Sequence, residues 1–107
     1  MTDCIQVVTT TEREEDARAI ALALVEERLA GCVQIIGPIT SIYRWQGRIE
    51  TSREWQCWVK SRREHYERIE QTIRRMHPYE LPEIVAIAVV AGNPAYLQWL
   101  DEQVGGV

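Results

Sequence analysis

The 107-residue chain lacks the segments that mark secreted and membrane-spanning proteins. No segment approaches the about 20 consecutive apolar residues that a membrane-spanning helix needs. Near the amino terminus, Asp3, Gln6 and the acid-rich run 12–16 interrupt any apolar stretch that would resemble a signal peptide. We therefore expect a cytoplasmic protein with no membrane partner.

Cysteine is scarce, and its number is odd. Cys4, Cys32 and Cys57 each lie in an apolar or alternating stretch, and none belongs to a C-x-x-C pair. Free, buried thiols in a reducing compartment are the favoured interpretation. A metal site built from cysteines alone has no spacing to support it.

The common sequence signatures of catalysis are also missing. The chain has no glycine-rich phosphate loop and no G-x-S-x-G turn, and no spacing directs a serine or cysteine at His65. The sequence therefore predicts a binding protein and not an enzyme.

The composition is that of an ordinary globular protein, with 46% apolar and 26% charged residues. A net charge of -4 argues against a broad nucleic-acid surface. The length fits a single domain over residues 1–107.

The first half of the chain predicts a strand, a helix and a long β segment. Residues 5–9 are rich in β-branched side chains, and Thr11 and Glu14 fit a capping box before an amphipathic helix. Gly31 stands where a helix end needs a left-handed residue. The β segment over 32–59 has a bend predicted at Gly37-Pro38 and a hairpin tip at Gln46-Gly47.

The second half predicts a helix, a strand and a terminal helix. Ser61 and Glu64 fit another capping box, and His77-Pro78 ends the helix that follows. Residues 84–90 are apolar on both faces, which predicts a central strand covered on both sides. Asn93-Pro94 begins the last helix.

The resulting order is βαββαβ plus a C-terminal helix. It predicts an α+β, ferredoxin-like fold with an antiparallel sheet and two helices on one face. Large apolar residues on both faces of the long strands, among them Trp55 and Trp58, favour burial of the second face against other subunits.

His77 is the residue most suggestive of metal chemistry. A neutral imidazole is a good ligand for copper, nickel or zinc, and the Met76 thioether could bind Cu(I). Glu80 and Glu83 follow closely. The alternative is structural, with His77 interacting with the carbonyl groups at the helix end.

Three aromatic residues, Tyr43, Trp45 and Tyr79, could line a ligand cleft. Trp45 would be costly to expose at a hairpin tip, so burial against a neighbouring subunit is the alternative interpretation.

Three segments of the chain resemble the CutA divalent-cation tolerance family. They are A-G-C-V-Q-I-I-G-P-I-T-S-I-Y-R-W-Q-G-R-I-E at 30–50, H-P-Y-E-L-P-E-I at 77–84, and Gly92 followed by Y-L-Q-W-L at 96–100. The resemblance covers nearly the whole chain. It implies a ferredoxin-like subunit in a tight homotrimer, in which long central strands pair between subunits.

The resemblance also implies a role in tolerance of divalent metals, with copper binding proposed for some members. The family trimer is similar in shape to PII signalling proteins, which bind small effectors between subunits. The proposed copper pattern combines a first-strand cysteine with two adjacent histidines before Pro-Tyr. Here those positions hold Thr9, Met76 and His77, so only one of the three is retained.

Two functions remain open at this point, besides a purely structural trimer whose effect on metal tolerance is indirect. One is a metal-binding module whose ligands would be His77, Met76 and Glu80, with copper or another divalent ion. The other is a regulatory trimer that senses a small effector in the intersubunit cleft.

Overall fold

The computed structural model describes residues 2–105. Its elements are β1 (Cys4–Thr11), α1 (Glu14–Glu26), β2 (Cys32–Trp45), β3 (Arg48–Arg62), α2 (Tyr66–Met76), β4 (Ile84–Ala88) and α3 (Pro94–Gln103). The strands form one sheet in the order β2-β3-β1-β4, and all neighbouring pairs are antiparallel. The predicted ferredoxin-like α+β fold with its additional C-terminal helix is confirmed.

The core lies between one face of the sheet and the helices α1 and α2. Alternate residues of β1 and β3 point to this face because side chains in a strand alternate between its two sides. Its fully buried side chains come from both strands and both helices: Val7, Cys57, Val59, Ala17, Ile20, Leu24, Ile69 and Ile73. The apolar stripe predicted for each helix is therefore the face that packs on the sheet.

Both predicted capping boxes are wrong. Thr11 is the last residue of β1, and its hydroxyl donates to the carbonyl oxygen of Arg13 at 2.8 Å. Ser61 lies inside β3, and its hydroxyl donates to the carbonyl oxygen of Leu29 at 2.5 Å. Each side chain is fully buried. Strand pairing and these bonds hold both hydroxyls away from the helix ends that they were expected to cap.

The left-handed residue after α1 is Arg28, with φ of 58°, and not Gly31 as the sequence predicts. The absence of a side chain at Gly31 has another cause, because a Cβ built there would lie 2.5 Å from Leu100 Cδ1. Gly31 thus allows α3 to pack closely against the chain between α1 and β2.

The two predicted interruptions of the long β segment are confirmed. The register of β2 against β3 shifts between Ile36 and Ile39, on either side of Gly37-Pro38. At the tip, Gln46 and Gly47 both have positive φ, 51° and 79°. These values fit the two-residue turn whose twist matches that of paired strands.

The prediction that β4 is a central, doubly covered strand is wrong. β4 pairs only with β1 and forms an edge of the sheet. On the face away from α1 and α2, Val85 is 46% exposed and Ile87 54%. The apolar pattern was interpreted as burial within the chain, whereas the βαββαβ connectivity places the last strand at the edge.

Arg62 at the end of β3 joins three separate parts of the molecule. Its guanidinium lies 3.5 Å from the carboxylate of Asp3, 2.8 Å from that of Glu64 and 2.6 Å from that of Asp101 in α3. We call this group the Arg62 node. It fixes α3 to the end of the sheet together with the start of the chain.

Candidate functional site

A cleft of about 750 Å³ lies between the hairpin β2–β3 and the loop that follows α2. Its lining comes from β1, β2, β3 and the loop 79–83: Thr10, Ser41, Ile42, Tyr43, Trp45, Glu54, Tyr79, Glu80, Leu81, Pro82 and Glu83. The three predicted cleft aromatics and the predicted ligand Glu80 are therefore brought together in one chain.

The register of β2 brings two of the aromatic side chains to the cleft. Beyond the register shift, Tyr43 pairs with Glu50 and Trp45 with Arg48. Because these positions alternate along the strand, Tyr43 and Trp45 project from the same face. The Tyr43 hydroxyl is fixed by Ser52 Oγ at 2.7 Å. The rings form one wall of the cleft while staying partly exposed, at 42% and 41%.

Glu54 supplies a buried carboxylate to the cleft. It is 7% exposed, and its Oε2 accepts a 2.8 Å hydrogen bond from the Tyr79 hydroxyl. Within residues 2–105, no cationic side chain forms a salt bridge with Glu54, and no donor forms a hydrogen bond with its Oε1. A buried charge without a cationic partner is costly, so this carboxylate is suited to a positively charged ligand.

The Tyr79 phenol lies in the same partly buried surroundings as the Glu54 carboxylate. Burial raises the pKa of its phenol above the usual range, and the hydrogen bond to Glu54 raises it further. The phenol therefore stays protonated at neutral pH and acts as a donor to Glu54. This bond holds the loop 79–83 against β3.

His77 lies directly behind the cleft, at the end of α2. Its Nε2 lies 2.7 Å from the carbonyl oxygen of Thr10, and its Nδ1 accepts the backbone N–H of Tyr79 at 3.1 Å. A nitrogen facing a carbonyl oxygen must carry the proton, so the ring is a neutral tautomer with hydrogen on Nε2. The residue is 8% exposed, and its ring packs 4.7 Å from that of Tyr79.

These contacts give His77 a positioning role. Both ring nitrogens are engaged by backbone groups, and ligation of a metal requires the loss of one of these bonds. The helix end itself is closed by the backbone, because the N–H of His77 donates to the carbonyl oxygen of Ile73 at 2.8 Å. The His77 side chain instead ties the end of β1 to the loop that carries Tyr79.

Met76 and Thr9, the other positions of the proposed copper pattern, and the candidate ligand Glu80 lie in different surroundings. Met76 packs against the hydrophobic core, and Glu80 is exposed at the cleft. Thr9 is fully buried, and its hydroxyl has no hydrogen-bond partner in the described structure. In the part of the chain that the structure describes, no three His, Cys, Asp or Glu side chains are grouped closely enough to hold a metal ion.

The three cysteines are free thiols, and their burial differs. Cys4 and Cys57 are buried and Cys32 is partly exposed. Burial raises the pKa of the Cys57 thiol to about 11, so it stays protonated at neutral pH and is unreactive. Cys57 packs in the core and contributes no ligand to the cleft.

Three further residues that the sequence singles out lie away from the cleft. Trp55 packs against the core, whereas Trp58 belongs to the opposite face of β3 and is partly buried. His65 is 6% exposed at the start of α2, and its Nε2 has no partner among residues 2–105. Neither tryptophan nor His65 lines the cleft.

Glu54 is the site residue that sequence reasoning missed. The sequence indicates only which face of β3 Glu54 lies on, the face that it shares with Gln56 and Trp58. That position predicts a place beside the open sheet face but not the hydrogen bond with Tyr79, which lies 25 residues away in sequence.

Comparison with known proteins identifies the family. Residues 5–103 match the family model described as CutA1 divalent ion tolerance protein. The chain belongs to the CutA divalent-cation tolerance family. A CutA relative from Thermus thermophilus is 46% identical over 99 residues, covering 92% of this chain and 96% of the relative. Human protein CutA is 43% identical over 93 residues, which cover 87% of this chain and 52% of the human protein.

Solved CutA structures share the fold over almost the entire chain. The Xylella fastidiosa structure has a TM-score of 0.94 at 36% identity, covering 97% of this chain and 100% of its own. A relative from Archaeoglobus fulgidus, described as a periplasmic divalent cation tolerance protein, has a TM-score of 0.92 at 36% identity, with 95% and 99% coverage. In the CutA chain described here, no helix within residues 2–105 is long and apolar enough to cross a membrane.

Proposed function

We propose that this CutA chain acts in divalent-cation tolerance as a cytoplasmic homotrimer that binds its ligand without chemical turnover. The observation that carries the proposal is the cleft, where a buried carboxylate without a cationic partner meets three aromatic side chains. Free cysteines support a reducing compartment.

Exposed apolar side chains support assembly into a trimer. They lie on β4, on the segment after it and on the β2–β3 hairpin: Val85, Ile87, Val90 and Ile49. Exposed apolar surface of this kind is typical of protein interfaces. Light scattering of the purified protein is expected to give three times the 12.4 kDa chain mass. A stable particle of the chain mass at micromolar concentration would contradict the trimer.

The ligand in this proposal is a divalent metal ion, and the cleft favours oxygen ligation. Carboxylates suit hard cations such as Mn²⁺, whereas copper prefers nitrogen and sulfur donors. Glu54, Glu80 and Glu83 are the carboxylates of the cleft, but within residues 2–105 they are not grouped closely enough to hold an ion as a set of three. The proposed ion would therefore be held by one or two of them and would keep several water ligands. Copper binding through His77 and Met76 would require these side chains to leave their present contacts.

Calorimetric titration separates these two modes of metal binding. We expect Mn²⁺ binding that Glu80→Gln weakens more than His77→Gln does, since His77 acts only by holding the loop that carries Glu80. Glu26→Gln removes the same charge from an exposed position at the end of α1 and serves as the matched control. Copper binding lost in His77→Gln but kept in Glu80→Gln would assign the site to the imidazole, while no binding of any metal would contradict direct metal binding.

A second candidate function is the sensing of a small organic effector. The aromatic wall formed by Tyr43, Trp45 and Tyr79 favours it, because a hydrated metal ion makes no use of three ring faces. A thermal-shift screen of charged metabolites on the wild-type trimer is expected to give stabilising ligands, and a screen without any would count against this candidate.

A further inference from the structure

The charged residues that line the cleft are all of one sign. Among residues 2–105, three of the eleven lining residues are glutamates, and no lysine or arginine belongs to the lining. Glu54 is 7% exposed, and only one of its oxygens is engaged, by Tyr79. Within residues 2–105 its Oε1 receives no hydrogen bond from the protein. Oε1 is not one of the buried polar atoms left without a partner, so it meets the solvent of the cleft and is free to accept a hydrogen bond from a ligand.

The remaining lining defines the body of the ligand. Tyr43 and Trp45 offer ring faces that attract a cation, and Leu81 and Pro82 offer apolar surface. Ammonium groups donate hydrogen bonds to carboxylates and also bind over aromatic rings. A bare metal ion gains little from these apolar and aromatic groups, since its affinity comes from a closely spaced ligand set.

We propose that the cleft binds a small aliphatic diamine, with one ammonium at Glu54 Oε1 and the carbon chain along Tyr43 and Trp45. The second ammonium faces Glu80 and Glu83 at the opening, so a diamine balances the charge of the cleft better than a monoamine. This inference depends on the proposed function only in taking the cleft as the ligand site.

Calorimetry on the intact protein tests the inference with 1,4-diaminobutane as the probe and 1,4-butanediol as its uncharged counterpart. We expect the diamine to bind and the diol to give no heat. Glu54→Gln, which retains an acceptor for Tyr79, should weaken diamine binding about tenfold or more. Glu26→Gln should bind the diamine as the wild type does.

A second variant protects the test against misfolding of Glu54→Gln. Trp45→Leu changes a side chain that is 41% exposed, so it leaves the core intact and should weaken diamine binding. Equal binding of diamine and diol, or unchanged affinity in both variants, would overturn the inference. Heat from metal ions with none from the diamine overturns it and leaves the proposed function in place. Heat from the diamine with none from any metal supports it and removes metal binding instead.

Discussion

The body of the domain and the distal part of the β2–β3 hairpin differ in how far they bury their apolar side chains. In the body, Val59 and Ile73 are fully buried between the sheet and its helices. We call the paired residues 40–53 the arm. None of the arm residues is buried, and its Ile42 and Ile49 are 70% and 69% exposed. The body thus buries its apolar residues with its own helices, whereas the arm leaves them exposed on the single chain.

Alanine substitutions in the two regions should differ most in effect. Ile73→Ala leaves a cavity in the core, and we expect it to lower the free energy of unfolding by about 2–5 kcal/mol at every protein concentration. Ile49→Ala removes an exposed side chain and should change the stability of the isolated subunit by less than about 0.5 kcal/mol. If the chain assembles as proposed, the larger effect of Ile49→Ala is expected on dissociation of the proposed trimer.

Urea denaturation at several protein concentrations measures both effects. An Ile49→Ala variant that loses as much stability as Ile73→Ala at every concentration would break the comparison, because it would mean that the arm is packed like the body.

His77 lies where the body meets the cleft, and its substitution should have the next largest effect. His77→Gln disrupts the bonds to Thr10 and Tyr79, and we expect a loss of about 1–3 kcal/mol. The neighbouring Met76→Leu keeps the core volume and should cost less than about 1.5 kcal/mol. Denaturation with and without a chelator distinguishes the roles, since a loss confined to chelator-free samples would assign His77 to a metal.

Substitutions at the tip of the arm should change the free energy of unfolding least, one raising it and the other lowering it. Gln46 has φ of 51°, a conformation that asparagine tolerates better than glutamine. Gln46→Asn should therefore raise the free energy of unfolding by up to about 0.5 kcal/mol. Gly47→Ala adds a Cβ that meets no atom within 4 Å, but it strains a φ of 79° and should cost about 1 kcal/mol. Thermal unfolding of both variants checks the signs, and stabilisation by Gly47→Ala would contradict the turn geometry.

Much of the fold could be predicted because it depends on periodicity. The apolar stripes of α1 and α2 and the hairpin tip at Gln46-Gly47 follow from local pattern alone. The roles of the Thr11 and Ser61 hydroxyls could not be predicted, because strand pairing takes both residues into the sheet. There Thr11 bonds the nearby Arg13, whereas Ser61 bonds the distant Leu29. The edge position of β4 was missed because apolar faces look the same whether the chain or a neighbour covers them.

The candidate site, like the fold, could be predicted from the sequence only in part. The sequence predicts Tyr43, Trp45 and Tyr79 in a ligand cleft between subunits, and the structure places all three in the lining of one cleft within a single chain. The role of Glu54 and the engagement of both His77 nitrogens could not be predicted. Both depend on where the loop after α2 meets β1 and β3, which is a property of tertiary packing.

The Arg62 node has a consequence for how the molecule opens. All three cysteines are free, so the contact between Asp3, Arg62 and Asp101 works as a cross-link made of ion pairs and a charged hydrogen bond. Dissolved salt weakens such a link far more than it weakens a packed core. We expect rising ionic strength to release α3 first, so that its amides exchange with deuterium while those of β1 and β3 remain protected.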